Sequence, residues 1–430
     1  MSIVDGLVSA ILLKTPVVFR ASMRSLLAKA TRQHTRNHNS RLVLRVIYED
    51  EAISRADIAR KTGLTRTTVS AVVNELIEQG LIEETGAGQS SGGRLPILLR
   101  VVHESHCVAA LSFEDTQIVG ALVDMRGGIQ RRVSVPLQGY RPEDLPGYLT
   151  QLLDDLTADP APHILGIGLS MPGIVDPVRG MVRRAVNFGL VDAPLRQLLQ
   201  DHYRLPVYLD NAARLTALAE YMFGDGAASG NLVVISIGVG VGAGIVLNGA
   251  LFSGDGFGAG EIGHVVVADN GIRCNCGNIG CLETIASVPA IVRAARRLAS
   301  DPSSRLRSLA PAAAAIDFNT VCQALEEGDD GVAGLVADVG RYLGIAVAHI
   351  VGLLNVERIV LTGAIAALGP PLLEAVKTSL ARHALAPLAA MTRVDLVPER
   401  HDAVLLGIAA MVLDHEFGLL RLDSQAHMQH

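Results

Sequence analysis

Residues 260–283 read GEIGHVVVADNGIRCNCGNIGCLE and gather one histidine and three cysteines in a short glycine-rich segment. His264 is followed after nine residues by Cys274 and Cys276, and after four more by Cys281. One imidazole and three thiolates in loop segments match a closed tetrahedral Zn²⁺ site. Because four protein ligands leave no open position, we expect this metal to be structural and not hydrolytic. The alternative is three unrelated buried thiols, but Cys-X-Cys beside asparagine and glycine is a poor core sequence.

Apolar runs typical of strands alternate with helical patterns around this segment. The pattern predicts an α/β body in two lobes. Predicted strands cover residues 108–112, 118–123, 129–135, 164–170, 207–209, 232–237, 243–248 and 358–361, and predicted helices cover 141–157 and 332–354. The glycine-rich run 237–244 links two of the strands, where exposed amides could cradle a phosphate. The alternative for such a run is a packing device between strands.

The first hundred residues carry the pattern of a helix–turn–helix. One helix is predicted over 41–50, a second from a Ser54 cap to Thr62, and a third from a Thr65 cap to Gln79. The third helix has apolar residues at helical spacing that should pack inward: Val69, Val72, Val73, Leu76 and Ile77. Its opposite face is polar and free of acids, which suits base edges and phosphates in the major groove: Arg66, Thr67, Thr68, Ser70 and Asn74.

Two strands, predicted over 81–84 and 95–101, flank a Gly/Ser loop after the third helix. This hairpin completes a winged helix, and Ser91 and Arg94 in its loop are further candidate DNA contacts. The sequence therefore predicts a domain that binds double-stranded DNA. The alternative is a helical hairpin that serves only for dimerisation.

The charge is unevenly distributed along the chain. Residues 1–100 hold 14 Lys and Arg against 9 Asp and Glu, whereas the remainder holds 23 against 34. A basic head on an acidic body indicates a polyanion-binding module. The basic stretch 24–45 is either a DNA contact or a solvated helical arm. Aromatic residues make up 3% of the chain and tryptophan is absent, so stacking platforms for single strands or RNA are not expected.

Cellular location follows from the apolar runs and the cysteines. No apolar run approaches the roughly 18–20 residues of a spanning helix, and 6–13 is a poor signal peptide. Without an export signal, clustered cysteines indicate metal binding and not disulfides, while Cys107 and Cys322 lie in apolar runs as inert core residues. We therefore expect a soluble cytoplasmic protein with no membrane partner.

These motifs resemble the ROK family (repressors, open reading frames and sugar kinases), in its regulator branch. The resemblance runs from about Met23 to Met411 and rests on the helix–turn–helix, the glycine run 238–244 and residues 260–283. It implies a two-lobed actin-like (ribonuclease H-like) ATPase fold with a sugar in the cleft. Its motifs assign the sugar hydroxyls to Asn211, Glu261, His264 and Glu283. An imidazole with one nitrogen on zinc can offer the other to the ligand.

Two departures from the kinases of this family argue against an enzyme. The aspartate of their Asn-Asp-Ala-Asn stretch, counted back from Glu220, is Ala212, and Asp210 lies two positions off target. Losing a general base costs about 10²–10⁴ in rate. Their first phosphate loop, Asp-Ile-Gly-Gly-Thr, is Ser-Phe-Glu-Asp-Thr at 112–116, and the two acids would repel a triphosphate.

We therefore predict a sugar-responsive transcriptional repressor of carbohydrate-metabolism genes, acting as a homodimer or homotetramer on operator DNA. One alternative is an ATP-dependent sugar kinase with a DNA-binding domain, and another is a body that only dimerises and binds no sugar. The expected organisation is an extension with a basic arm (1–39), a winged helix (40–102), a first lobe (103–222), a second lobe with the zinc loop (223–416) and a tail (417–430).

Overall fold

The chain forms two compact units, one that ends at Val101 and one that begins at Val102. The computed structural model describes residues 32–50, 52–87, 95–114, 116–158, 163–185, 188–224, 230–269, 271–398, 400 and 402–419. The candidate DNA contacts Ser91 and Arg94 therefore lie outside the described residues, as does most of the Gly/Ser loop of the wing.

The first unit is a winged helix, as predicted. Its three helices are α1 (Arg32–Asp50), α2 (Arg55–Thr62) and α3 (Arg66–Glu78). Three antiparallel strands in the order β1-β3-β2 make the sheet: β1 (Ile53–Ser54), β2 (Ile82–Ala87) and β3 (Ile97–Val101). Helix α1 continues nine residues before the predicted start at Arg41, so the basic stretch is part of the first helix over this range.

Local hydrogen bonds explain where α2 and α3 begin. Ser54 Oγ accepts a bond from Asp57 N at 3.2 Å, and Thr65 Oγ1 accepts one from Thr68 N at 3.2 Å. Each hydroxyl satisfies an amide that has no partner inside its helix. Gly63 ends α2 with a φ of +70°, a conformation that favours glycine. The predicted inner face of α3 is buried except for Ile77, which is half-buried.

The second unit contains two five-stranded sheets of equal topology. The first has the order β11-β7-β4-β5-β6, and the second has the order β14-β13-β12-β15-β16. In each sheet, three consecutive strands form an antiparallel meander, and two later strands add in parallel beside its first strand. This repeated order confirms the predicted two-lobed, actin-like α/β body.

The strand bounds extend the predicted runs by one or two residues at most ends. The first-lobe strands are β4 (His106–Phe113), β5 (Gln117–Asp124), β6 (Ile129–Pro136), β7 (His163–Met171) and β11 (Val207–Asn211). The second-lobe strands are β12 (Leu232–Ile237), β13 (Val241–Leu247), β14 (Ala250–Leu251), β15 (Arg358–Thr362) and β16 (Arg393–Leu396). A small antiparallel sheet that the sequence did not predict follows β7: β8 (Ile174–Asp176), β9 (Met181–Ala185) and β10 (Leu190–Ala193).

Eleven described helices cover these sheets. They are α4 (Leu145–Thr157), α5 (Leu195–Tyr203), α6 (Ala212–Phe223), α7 (Glu283–Ala286), α8 (Val288–Leu298), α9 (Leu306–Leu309), α10 (Phe318–Glu326), α11 (Asp330–Leu354), α12 (Gly369–His383), α13 (Ala386–Met391) and α14 (Ala403–Phe417). Among them, α11 is long and apolar enough to cross a membrane by length and composition alone, a test that buried core helices also pass. Half of its most apolar window is buried, and it packs against α12 in the second-lobe core.

Two helices are exchanged between the lobes. Helix α6 follows the last strand of the first sheet but packs on the second, where Gly242 and Gly244 of β13 leave room for it. Helix α14 follows the second sheet but packs on the first, where Gly168 of β7 faces Ile408. The two helices also pack against each other, with Gly407 at their close approach. The lobes are therefore joined through this helix pair.

Candidate functional site

The histidine and three cysteines of the 260–283 segment lie together. One ligand atom from each of His264, Cys274, Cys276 and Cys281 falls within 4.8 Å of the others. His264 Nδ1 lies 3.5 Å from Cys274 Sγ, and Cys276 Sγ lies 3.6 Å from Cys281 Sγ. Burial raises the pKa of the Cys281 thiol to about 12, whereas a backbone hydrogen bond from Asn278 lowers the pKa of Cys276. These four side chains could hold a metal ion.

Three of the candidate sugar residues surround this cluster. His264 turns Nδ1 towards Cys274, and its Nε2 lies 3.9 Å from Glu261 Oε2. Glu283 stands two residues after Cys281, and its Oε2 accepts a hydrogen bond from Val241 N at 3.1 Å. Burial raises the pKa of Glu261, with the charge of His264 opposing the rise. The cluster of His264 and the three cysteines therefore lies beside two carboxylates, with His264 Nε2 turned towards that of Glu261.

The fourth candidate, Asn211, lies at the start of α6. Its Oδ1 accepts a bond from Ala213 N at 2.9 Å and caps the helix, while its Nδ2 donates to Gly173 O at 2.9 Å. One amide hydrogen and one lone pair remain for a ligand. One turn further along α6, Arg214 donates to Phe257 O at 3.1 Å, in the loop that leads to Glu261. This bond holds the start of α6 beside that loop.

Sequence reasoning missed Arg214, which is almost fully buried at the base of this region. Its Nη2 forms an ion pair with Asp210 Oδ1, and Asp210 also accepts a bond from Asn211 N at 2.6 Å. The i, i+4 spacing of Asp210 and Arg214 could have indicated the pair. Asp210 is thus paired with Arg214, and Ala212 between them carries no carboxylate.

The glycine run 237–244 lies where β12 turns into β13. Only residues 238–240 form a turn, and Val241–Leu247 is strand β13. A Cβ on Gly244 would lie 2.6 Å from Ala213 O, and one on Gly240 would lie 2.9 Å from Glu283 Oε2. The glycines therefore admit α6 and Glu283 at close range, which agrees with the packing alternative for this run. In the first-lobe loop, Glu114 accepts a bond from Gln117 at 2.7 Å, and Asp115 lies outside the described residues.

The candidate DNA-reading face lies at the beginning of α3. Arg66, Thr67 and Asn74 are exposed, whereas Thr68 and Ser70 are half-buried. Thr68 Oγ1 is 2.9 Å from the capping hydroxyl of Thr65, so it belongs to the helix cap.

A second arginine that the sequence did not single out lies beside this face. Arg55 of α2 donates to Asn74 Oδ1 at 3.4 Å and pairs with Glu84 at 2.8 Å, which orients the Asn74 amide. On the basic helix α1, Arg36 pairs with Glu75 of α3 at 2.8 Å. Part of the basic stretch is therefore engaged inside the unit.

Comparison with known proteins agrees with this architecture. A family model described as ROK matches residues 108–415, and one described as winged helix-turn-helix DNA-binding matches residues 36–83. The xylose repressor of Caldicellulosiruptor bescii is 31% identical over 380 residues, which cover 87% of this chain and 95% of the relative. The N-acetylglucosamine repressor of Escherichia coli O6:H1 is 31% identical over 358 residues, which cover 81% and 85%.

A solved structure gives the same result in three dimensions. The crystal structure of a ROK family transcriptional regulator, a homologue of the E. coli MLC protein, aligns with a TM-score of 0.80 at 28% sequence identity. The alignment covers 90% of this chain and 98% of that one, so both units are included. From the matched family model and from these relatives, the chain belongs to the ROK family.

Proposed function

We propose that this protein is a sugar-responsive transcriptional repressor. One observation carries the proposal. The same chain has a winged helix whose α3 presents an exposed polar face, and a body in which the candidate sugar-binding carboxylates lie close together. Relatives named as xylose repressor and N-acetylglucosamine repressor, matched over most of their length, support both halves of the proposal. They also favour carbohydrate-metabolism genes as targets.

In the proposed sugar complex, Glu261 and Glu283 accept hydrogen bonds from sugar hydroxyls, and His264 Nε2 and Asn211 complete the polar contacts. The spatial grouping of Glu261, His264 and Glu283 supports these roles. Glu283 Oε2 accepts a hydrogen bond from Val241 N, and Cys274 Sγ lies 4.0 Å from Oε1, so both carboxylate oxygens are held in place beside the cysteine cluster. The loop glycine Gly240 is what permits the bond from Val241 N.

We further propose that the cluster of His264, Cys274, Cys276 and Cys281 holds a structural Zn²⁺. A tetrahedral ion with Zn–S bonds of about 2.3 Å separates two sulfur atoms by about 3.8 Å. The 3.6 Å between Cys276 and Cys281 is close to that value before any ligand adjusts. Bound zinc would offset two of the three thiolate charges and keep His264 Nε2 directed at Glu261.

Kinase activity is not part of the proposal. The side chain needed to take a proton from a sugar hydroxyl is replaced at Ala212, and the neighbouring Asp210 is held by Arg214. The absent base removes a contribution of about 10²–10⁴ in rate. We infer that the kinase-like body now serves as a ligand sensor.

On DNA, we propose that Arg66, Thr67, Thr68, Ser70 and Asn74 contact the major groove and that Ser91 and Arg94 of the wing contact the adjacent backbone. Two or more copies would bind a pseudo-palindromic operator, as a homodimer or homotetramer in the cytoplasm. Half-sites on one face of DNA lie about 34–36 Å apart, so the spacing of protected bases reports the arrangement of the heads. Arg66 stands at the amino end of α3, where the helix dipole also attracts phosphate.

The test is DNA-binding anisotropy with operator DNA enriched from genomic fragments, against shuffled DNA, at near-physiological salt. A sugar panel that includes a pentose and an N-acetylhexosamine is added to each. We expect sequence-selective binding that one sugar shifts, and loss of that shift in Glu261→Gln but not in Glu374→Gln, an exposed carboxylate on α12. Equal binding to both DNAs, or ATP-dependent phosphorylation of a sugar by the unmodified protein, would overturn the proposal.

A further inference from the structure

The turn between β5 and β6, residues 124–128, is a rigid loop near the start of the second unit. Asp124 is buried, and its Oδ1 accepts hydrogen bonds from Arg126 N and Gly128 N, both at 2.8 Å. A third bond joins Gly127 N to Asp124 O at 3.1 Å. Because one carboxylate closes the loop on itself, the β5–β6 turn moves as a single body.

This turn is attached to the segment that leads from the DNA-binding unit. Residues 102–105, the connecting segment, follow β3 directly and contain a short helical turn over His103–Ser105. His103 O accepts a bond from Met125 N at 3.4 Å, and His103 Nδ1 lies 3.5 Å from Asp124 Oδ2. Gln130, at the start of β6, donates from Nε2 to Glu104 O at 3.0 Å. A movement of the turn therefore displaces the connecting segment.

The tip of the same turn rests on both exchanged helices. Gly127 has a φ of +85°, and a Cβ there would lie 3.2 Å from Phe223 Cδ1 and 3.2 Å from Leu406 Cδ2. Phe223 is the last residue of α6, and Leu406 lies in the first turn of α14. The turn backbone is therefore in direct reach of the helix pair that joins the lobes.

The opposite end of α6 lies at the candidate sugar site. Asn211 caps that end, and Arg214 ties it to Phe257 O in the loop before Glu261. A helix of 12 residues is about 18 Å long and transmits displacement along its axis. Helix α6 thus begins at the candidate sugar site. It ends at Phe223, against the β5–β6 turn, which is hydrogen-bonded to the connecting segment.

We propose that α6 and the β5–β6 turn carry the sugar signal to the DNA-binding unit. This inference rests on the proposed function. Sugar bound at Asn211 and Glu261 shifts α6 relative to the first sheet, Phe223 moves against Gly127, and the turn repositions the connecting segment. The coupling is a free energy shared by two sites, so DNA must alter sugar affinity by the same factor by which sugar alters DNA affinity.

The test compares Phe223→Ala with Phe318→Ala in the full chain. Phe318 is also half-buried at a helix end, but it lies on α10 in the second-lobe core and serves as the matched control. Coupling between two sites is typically 5–150-fold. We expect Phe223→Ala to retain sugar binding and DNA binding, while the factor by which sugar alters DNA affinity falls towards 1. Phe318→Ala should leave that factor unchanged. Gln130→Ala, which removes the bond to Glu104, should reduce the factor in part.

Hydrogen exchange supplies a readout that needs no sugar. Phe223→Ala should raise amide exchange in residues 102–106 and 124–128, whereas Phe318→Ala should not. If the unmodified protein shows no sugar response, the proposed function fails, and the exchange result still decides whether α6 orders the connecting segment. Undiminished coupling in Phe223→Ala, or unchanged exchange in both segments, would overturn the relay.

Discussion

Gly407→Ala is predicted to destabilise the sugar-binding unit at the crossing of α6 and α14. A Cβ at this position would lie 2.9 Å from Leu215 Cα and still closer to the Leu215 carbonyl carbon and oxygen. These are backbone atoms in the middle of a helix, so no side-chain rotation relieves the overlap. The helices must separate, and the contacts between the lobes must separate with them.

The expected magnitude combines two opposing effects. Overpacking a well-packed core costs typically about 1–3 kcal/mol, and overlap with backbone belongs at the upper end. Replacing glycine with alanine inside a helix gains about 1 kcal/mol. The net loss in the free energy of unfolding should therefore be about 2 kcal/mol.

Urea denaturation followed by circular dichroism measures this loss, with Gly334→Ala as the matched control. Gly334 lies in α11, and a Cβ there would meet nothing within 4 Å. The control should gain about 0.5–1 kcal/mol from helix propensity alone. If Gly407→Ala were as stable as the unmodified chain, the close approach of the two helices would be wrong.

Three further changes test other parts of the molecule. Arg66→Ala should weaken operator binding by about 1–3 kcal/mol in anisotropy titrations. Arg60→Ala, which removes the same charge from α2, should have a smaller effect, and equal losses would mean that α3 is not the helix that reads the DNA. Cys276→Ser should abolish stoichiometric zinc binding in elemental analysis and lower the midpoint of thermal unfolding, whereas Cys322→Ser, outside the cluster, should keep the metal. A metal content unchanged by Cys276→Ser would contradict the proposed zinc site. Burial and the neighbouring His163 lower the pKa of His106 below 6.5, so His106 is protonated more readily in the unfolded chain than in the folded one. The free energy of unfolding should therefore fall as the pH drops below about 6.5. His106→Gln should flatten that part of the stability profile, and an unaltered profile would assign the effect to another group.

Local patterns in the sequence predicted the first unit well because its helices begin at side-chain caps. Ser54 and Thr65 each bond the third amide of the helix that follows, so the residue type and spacing were sufficient. The start of α1 was missed because the polar run before Arg41 has no apolar stripe to mark a helix. In the body, apolar runs such as 232–237 located the strands but gave no information on their order.

In the functional region, too, the sequence predicted local patterns but not contacts between distant parts of the chain. The spacing of His264 and the three cysteines predicted a cluster that the fold does assemble. The role of the glycines could not be read from the sequence, since Gly244 is required by a helix that packs across from another part of the chain. The sequence could have indicated the pairing of Arg214 with Asp210, four residues earlier, but not its other partners, Val175 O and Phe257 O, which are main-chain atoms far away in sequence.

The exchange of helices between the lobes has a consequence for how the protein is synthesised. Strands β4 and β7 leave the ribosome early, yet the helix that covers one face of their sheet, α14, comes after β16. At translation rates of about 5–20 residues per second, the residues between β11 and α14 take roughly 10–40 s to appear. During that interval the apolar surface around Gly168 lacks its cover. The nascent chain should therefore depend on chaperones until its last helix closes the first lobe.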